Sequence, residues 1–307
     1  MTPAMVSYKD IDPVKWNRCI HQSRQRLIYG DYDYWKHMAG NWKALILGDY
    51  EAVMPFACNI KWGFHYVYQP AFLQQTGIFS AQPISLEIAM AFWQELIKTF
   101  SFIEINLHPS FPIDFLPHDM VRHRNNFVLS LKEDYDKISK SYNSNLRQRV
   151  NKSKRNGLVF CKLDNVSIAI NTFKQLYQQK MKGKDQDYEN FNQLCHHYQQ
   201  NESVIIRGVK LEGTDALMAC VLMLKDENRI YNLASSLFPE GKKLLANYFL
   251  YDQIIQEFAE HEYLFDFEGS DEPGIADFYQ RFPVQKDNYI FLRYNHLPLP
   301  LRWLKKR

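Results

Sequence analysis

The chain has 307 residues, 46% of them hydrophobic and 15% aromatic, and a formal charge of +3. That is enough apolar side chain for a sizeable core, and too little net charge to imply a nucleic-acid partner by itself or to leave the chain disordered. No apolar run approaches the roughly 20 residues that span a bilayer, and Met1–Tyr8 lacks the basic-then-apolar pattern of a leader, so a soluble, cytoplasmic protein is expected.

In chain order, the spacing of apolar residues predicts a helix over 14–26 and a short one near 33–39. Alternation and aromatic content predict strands at 42–47, 52–57 and 64–69. Ile88, Ala91, Phe92, Leu96 and Phe100 fall close to helical spacing, giving a helix over 85–100, and 102–107 alternates as a strand. After a strand at 126–131, Asn143 is a good cap and Gly157 a good stop for a helix between them. That basic segment is the expected junction of two domains, 1–135 and 136–307. The second domain reads strand 158–163, helices 167–182 and 187–201, hairpin 204–209 and 217–224, and strand 229–235. A Pro/Gly loop leads into a long helix ending near Phe258, followed by strand 263–268, a helix opened by Pro273 and a final strand 289–294.

Charge is uneven along the chain. Between Lys137 and Arg155 there are seven basic residues and no acidic one. The five cysteines, Cys19, Cys58, Cys161, Cys195 and Cys220, form no C-x-x-C pair and are expected as reduced core thiols. Cys195-His196-His197 has no second ligand cluster, and adjacent helical residues point apart, so no metal is expected. The chain contains no G-x-S-x-G, H-E-x-x-H, G-x-G-x-x-G or Walker loop.

The order strand, Pro/Gly loop with two lysines, helix, strand, helix ends in YLFDFEGSDEPGIADFYQRF (263–282) and resembles the acyl-donor half of a GNAT-type acyltransferase. With the basic run SYNSNLRQRVNKSKRNGL (141–158), the chain is similar to the FemABX-like family of tandem-GNAT transferases. Trp35, Trp42 and YQPAFLQQTGIF (68–79) are similar to that family's first domain. The chain departs from the family in lacking a long coiled-coil arm and in having Arg281-Phe282-Pro283 where Phe-Gly is common.

The resemblance implies an α/β (α+β) fold of two GNAT-like domains, with mixed, mostly antiparallel sheets flanked by helices. The first would be the acceptor side and the second the acyl-donor side. It implies an N-acyl- or aminoacyltransferase acting on an amine of a peptidoglycan or polysaccharide precursor, with acyl-CoA or aminoacyl-tRNA as co-substrate and neither metal nor DNA involved. For the basic C-terminal tail PLPLRWLKKR, peripheral contact with an anionic membrane and docking on its own domain are equally expected. The alternative is a non-catalytic RNA- or lipid-phosphate-binding protein that keeps the fold.

Candidate residues follow. The donor would be held by Ser235, Ser236, Gly241, Lys242, Lys243 and Asn247, where a helix start and two lysines favour an anion. Alternation puts Asp266 and Glu268 opposite Phe265 and Phe267, so one could take the amine's proton; equally, both could bond the next turn or pair with the basic helix. Tyr279 stands where GNAT enzymes place a tyrosine that protonates the departing thiolate, and can also be read as a core tyrosine. Leu244, Tyr248, Tyr251, Ile255 and Phe258 form one apolar stripe expected in the core. On the acceptor side, Tyr68, Gln69, Gln74 and Gln75, with Trp62, Tyr66 and Phe72, combine flat apolar faces with amides. Arg147 and Arg149 could bind phosphate, although they do not share a helical face. A splayed pair of strands formed by 229–235 and 263–268, with an open channel between them, is the expected geometry.

Overall fold

The computed structural model describes residues 2–304 other than Lys182 and Ser270. Ser270 of the Glu-Gly-Ser turn and the last cations of the tail, Lys305–Arg307, therefore lie outside the described residues. The chain divides into two compact units, Met1–Arg124 with Asn288–Arg307, and Asn125–Asp287.

The first unit begins β1 (Ala4–Ser7), α1 (Pro13–Gln22), α2 (Tyr32–Met38), β2 (Trp42–Leu47), β3 (Ala52–Lys61) and β4 (Phe64–Tyr68). It continues with β5 (Phe79–Ser80), α3 (Leu86–Thr99), β6 (Phe102–Leu107) and β7 (Val121–Arg124). Local chemistry fixes the helix starts. Asp12 accepts the Val14 and Lys15 N–H groups ahead of Pro13, and Ser85 accepts that of Ile88.

The second unit holds β8 (Phe127–Ser130), α4 (Tyr135–Lys140), α5 (Ser144–Ser153), β9 (Leu158–Lys162), α6 (Val166–Met181) and α7 (Asp185–Gln199). Then come β10 (Val204–Leu211), β11 (Leu217–Lys225), β12 (Arg229–Leu237), α8 (Pro239–Lys243), α9 (Ala246–Phe258), β13 (Leu264–Asp266), α10 (Pro273–Tyr279) and β14 (Gln285–Lys286). The basic segment caps as its sequence dictates: Asn143 accepts the Leu146 N–H, and Gly157 follows the helix with φ +64°.

The final strand, β15 (Tyr289–Asn295), and α11 (Leu299–Leu304) return to the first unit. This differs from the expected division at 135/136, which placed residues 125–135 in the first domain and the last strand in the second. The reason is pairing. β15 lies antiparallel to both β6 and β7, burying Ile290 and Leu292 in the first core, while β8 pairs with β13 and β14.

Each unit is built on one sheet. The first runs β1-β2-β3-β4-β6-β15-β7 with β5 on β3, and the second runs β14-β8-β13-β12-β11-β10-β9. Both are mostly antiparallel with one parallel neighbour pair, β4·β6 in the first and β12·β13 in the second. In both, a helix joins the two parallel strands, α3 in one and α9 in the other, as a parallel crossover requires.

Candidate active site

The parallel pair β12·β13 is short. Its register covers Arg229↔Leu264, Ile230↔Phe265 and Tyr231↔Asp266, after which β12 runs on to Leu237 with β11 alone. Where the pairing ends, β12 carries a bulge. Leu222 faces Ala234 and Met223 faces Asn232, leaving Leu233 as the extra residue. The bulge offsets the pleat by one residue, so Asn232 and Ser235, three apart, both reach the Tyr251 hydroxyl on α9.

Asn232 is 4% exposed and is the first residue of β12 beyond the register with β13. Its amide nitrogen donates to the Tyr251 hydroxyl at 2.8 Å, to the Tyr279 hydroxyl at 3.3 Å and to the Phe267 carbonyl at 3.5 Å. Its amide oxygen is buried without a hydrogen-bond partner. Such an acceptor costs folding free energy on the order of 1–3 kcal/mol when left unbonded.

The phenols around it stay neutral. Burial pushes Tyr279 well above the ordinary tyrosine range, with the neighbouring Tyr251 and then the Glu268 charge adding to the rise. Burial also raises Tyr251, against the hydrogen bonds from Ser235, Tyr279 and Asn232. Along the β12 edge, successive N–H groups point to opposite sides. Phe238 N–H bonds back to Met218 on β11, whereas Leu237 N–H is met by the Tyr177 hydroxyl of α6 at 3.2 Å.

The structure separates the two candidate carboxylates. Asp266 is buried in an ion pair with Arg229 at 2.7 Å, and also accepts the Glu268 N–H and the Asn126 amide. Arg229 reaches Asp287 at 3.1 Å as well, so this cluster fastens β12, β13 and the loop after β14. Burial works against the Arg229 charge, but Asp266, with Tyr231 and Asp287, more than offsets it and holds the guanidinium protonated. Alternation does not extend to Glu268, because β13 ends at Asp266 and Glu268 and Gly269 turn through φ of +61° and +49°. The turn leaves the Glu268 charge near Tyr279.

The donor-loop residues are distributed as follows. Gly241 is buried in α8 against β11, where a Cβ would lie 2.0 Å from the Met218 carbonyl oxygen. Lys242 and Lys243 are exposed. The expected single helix is broken: Leu245 takes a left-handed φ of +59°, and Asn156 donates to the Leu244 carbonyl at 2.8 Å. Asn247 is half-buried in the first turn of α9. Ser236 faces away from Ser235, opposite Cys220 on β11.

On α5, Arg147 lines an open groove with Ser144, Gln148, Asn151, Lys152 and Arg155, and donates to the carbonyls of Lys140 and Tyr142. Arg149 lies on another face, bonded to Asn145 and stacked over Tyr248. Lys154 is turned inward to the buried Asp252 at 2.9 Å. In the first unit, Gln69 bonds the Asn106 N–H and the Leu73 carbonyl, and Gln75 donates to Gln74 at 2.9 Å. Tyr68 lines an aromatic cavity in the same unit.

Two site residues, Asn232 and Tyr251, were not singled out as such in the sequence. Tyr251 is buried on the predicted stripe, but a buried phenol needs a partner for its hydroxyl, which was the available signal. Asn232 carried a similar signal, as an amide in a strand that is otherwise largely apolar.

Residues 140–281 match the family model described as an acetyltransferase (GNAT) domain. Among solved structures, the chain is similar to FemX, with TM-score 0.65 and 12% identity over 99% of this chain and 100% of that one. It is similar to L-PGS from Bacillus licheniformis (TM-score 0.53, 13% identity, 95% of each chain). A tandem GNAT protein from the clavulanic acid biosynthesis pathway also aligns (TM-score 0.53, 10% identity, 96% of this chain and 99% of that one). No curated protein matches in sequence. At these identities the structural likeness establishes the fold. The domain match marks residues 140–281 as a GNAT acyltransferase domain, and the fold over the whole chain is the tandem arrangement these structures share.

Proposed function

We propose that the second unit binds an acyl donor, acyl-CoA or aminoacyl-tRNA, in the opening between β12 and β13 and transfers its acyl group to an amine of a cell-envelope precursor. The observation that carries this reading is Asn232, a buried amide with a spare acceptor between two neutral phenols where the parallel strands separate. Backbone groups on the β12 edge would hold the donor's extended chain and its carbonyl, so that proximity and hydrogen bonding lower the barrier without a covalent nucleophile.

In the reaction the amine nitrogen attacks the acyl carbon, and the carbon–sulfur or carbon–oxygen bond of the donor breaks. Tyr279 gives its hydroxyl proton to the departing sulfur or oxygen. The new ammonium loses a proton to Glu268 or to solvent, and Tyr279 is then reprotonated, so that one proton passes in net from amine to leaving group. Asp266 acts by position, holding β13 to β12 through Arg229. The α5 groove, with Arg147, Lys152 and Arg155 on one face, suits phosphates of a tRNA end or of a phosphorylated acceptor.

A thermal-shift titration with acetyl-CoA, free CoA and aminoacylated tRNA tests the reading. A ligand that binds only the folded state at 100 times its dissociation constant stabilises it by about 2.7 kcal/mol. Stabilisation by CoA compounds that disappears in Asn232→Leu supports the acyl-CoA branch, and stabilisation by charged tRNA alone supports the aminoacyl branch. No response to any donor contradicts the proposal.

A further inference from the structure

The β3–β4 hairpin turns through Trp62 and Gly63, with Lys61 directly opposite Phe64. Both turn residues have positive φ, 52° and 79°. That is the backbone of a two-residue primed turn, which favours Asn, Asp or Gly and penalises a bulky side chain. Trp62 occupies it nonetheless and is 71% exposed, so its indole adds almost nothing to the core in return for the strained backbone. A residue placed at such a cost with its ring in solvent points to a contact outside the chain.

The surroundings specify that contact. Beneath the hairpin, Trp62, Phe64, Tyr66, Tyr68, Leu297 and Leu301 line a cavity of about 360 Å³. Its far wall belongs to α11 and the residues before it. On α11, Leu299 and Trp303 lie one turn apart and are also largely exposed, as is Ile60 on β3. Cations accompany this apolar surface. Lys61 sits 4.9 Å over the Trp62 ring, and Arg302 is exposed on α11. The acidic residue on the cavity wall, Glu104, is paired with Arg293.

We propose that this face of the first unit docks on an anionic lipid bilayer, with Trp62 and Trp303 at headgroup depth, Lys61 and Arg302 against lipid phosphates, and the cavity receiving one hydrocarbon chain. Indoles and aliphatic residues flanked by cations are the composition of interfacial segments, and single weak contacts of this kind become stable binding only in combination. A symmetric contact with a second copy fits less well, because an isologous face would set the cations of one copy against those of the other. All its residues belong to the first unit, and none is assigned a step in the acyl transfer proposed above.

Co-sedimentation with vesicles of phosphatidylcholine, and of phosphatidylcholine mixed with phosphatidylglycerol, tests it on the full chain. The expected result is binding to the mixed vesicles that weakens with salt. It should fall at least about tenfold in Trp62→Ala/Trp303→Ala and similarly in Lys61→Glu/Arg302→Glu. All four positions are exposed, so unchanged melting temperatures confirm that folding is intact. Quenching of tryptophan fluorescence by brominated lipid should be lost in Trp62→Phe/Trp303→Phe, which tests insertion independently. Wild-type protein that ignores anionic vesicles, or variants that bind as well as wild type, overturns the proposal. So does a lipid-free dimer that dissociates in the double tryptophan variant.

Discussion

The two units use the same parallel-pair topology and finish it differently. In the first, β4 and β6 pair at Tyr66↔Phe102 and Val67↔Ile103, and the chain then fills its own opening. Thr76 bridges Leu107 in parallel register, Gln69 takes the Asn106 N–H, and the Asn106 amide bonds the Gln74 carbonyl at 2.7 Å. In the second, the described residues bring no such segment between β12 and β13, and the crossing bond is from the Asn232 side chain to Phe267. Splayed strands alone therefore do not leave the space between them unfilled. The segment after the first strand decides it, with residues 69–76 acting as a plug in one unit and the chain turning away into α8 in the other.

The sharpest way to break this contrast is to disable the open side chemically. Tyr279→Phe keeps the ring against Phe267, whose centroid is 4.8 Å away, and removes only the hydroxyl. Transfer at saturating donor and amine should slow by about 100-fold or more, as for loss of a positioned proton donor, with donor affinity retained. A change below about threefold in kcat would return Tyr279 to a packing role. Next in size is Gly241→Ala. Its methyl would collide with the Met218 carbonyl, forcing α8 off β11 at a cost of about 2–3 kcal/mol. Hydrogen exchange resolved by segment should show loss of protection in residues 125–287 and none in the first unit.

How much of this was legible follows the range of the interactions involved. The Asn143 cap and Gly157 stop bound α5 by local chemistry, and both were readable. The address of β15 was not, since an alternating strand carries no label for its sheet, and Ile290 and Leu292 serve the core that β6 and β7 complete. The bulge at Leu233 depends on register with β11, and the break at Leu245 on a left-handed residue that is not glycine. For that reason Tyr251 was legible as buried while its hydroxyl's task was not. The pair Asp266 and Glu268 failed as a shared face because alternation ends when the strand does.

On the closed side, Gln69→Leu removes the acceptor of the Asn106 N–H and should cost about 1–3 kcal/mol, visible as faster exchange at that amide. The same variant should leave any donor-induced thermal shift intact. Loss of that shift would mean the plugged opening takes part in donor binding, and the contrast between the units would fail.

The smallest expected effect is on alkaline stability, and it reads both units at once. Burial pushes Cys19 in the first unit and Cys220 in the second up to about 11. Both folded values lie above the ordinary thiol, so the folded state keeps protons that the unfolded chain releases, and stability must fall as pH rises from about 8.5 toward 11. Tyr251 and Tyr279 in the second unit, and Tyr32 in the first, are also raised above a free tyrosine by burial, so the loss should continue beyond pH ~10. A melting temperature dropping by a few degrees between about pH 8 and pH 10 is expected. Tyr279→Phe should flatten the further decline above pH ~10. An equal decline in that variant would show that the buried phenols beside Asn232 do not hold their protons as the open site requires.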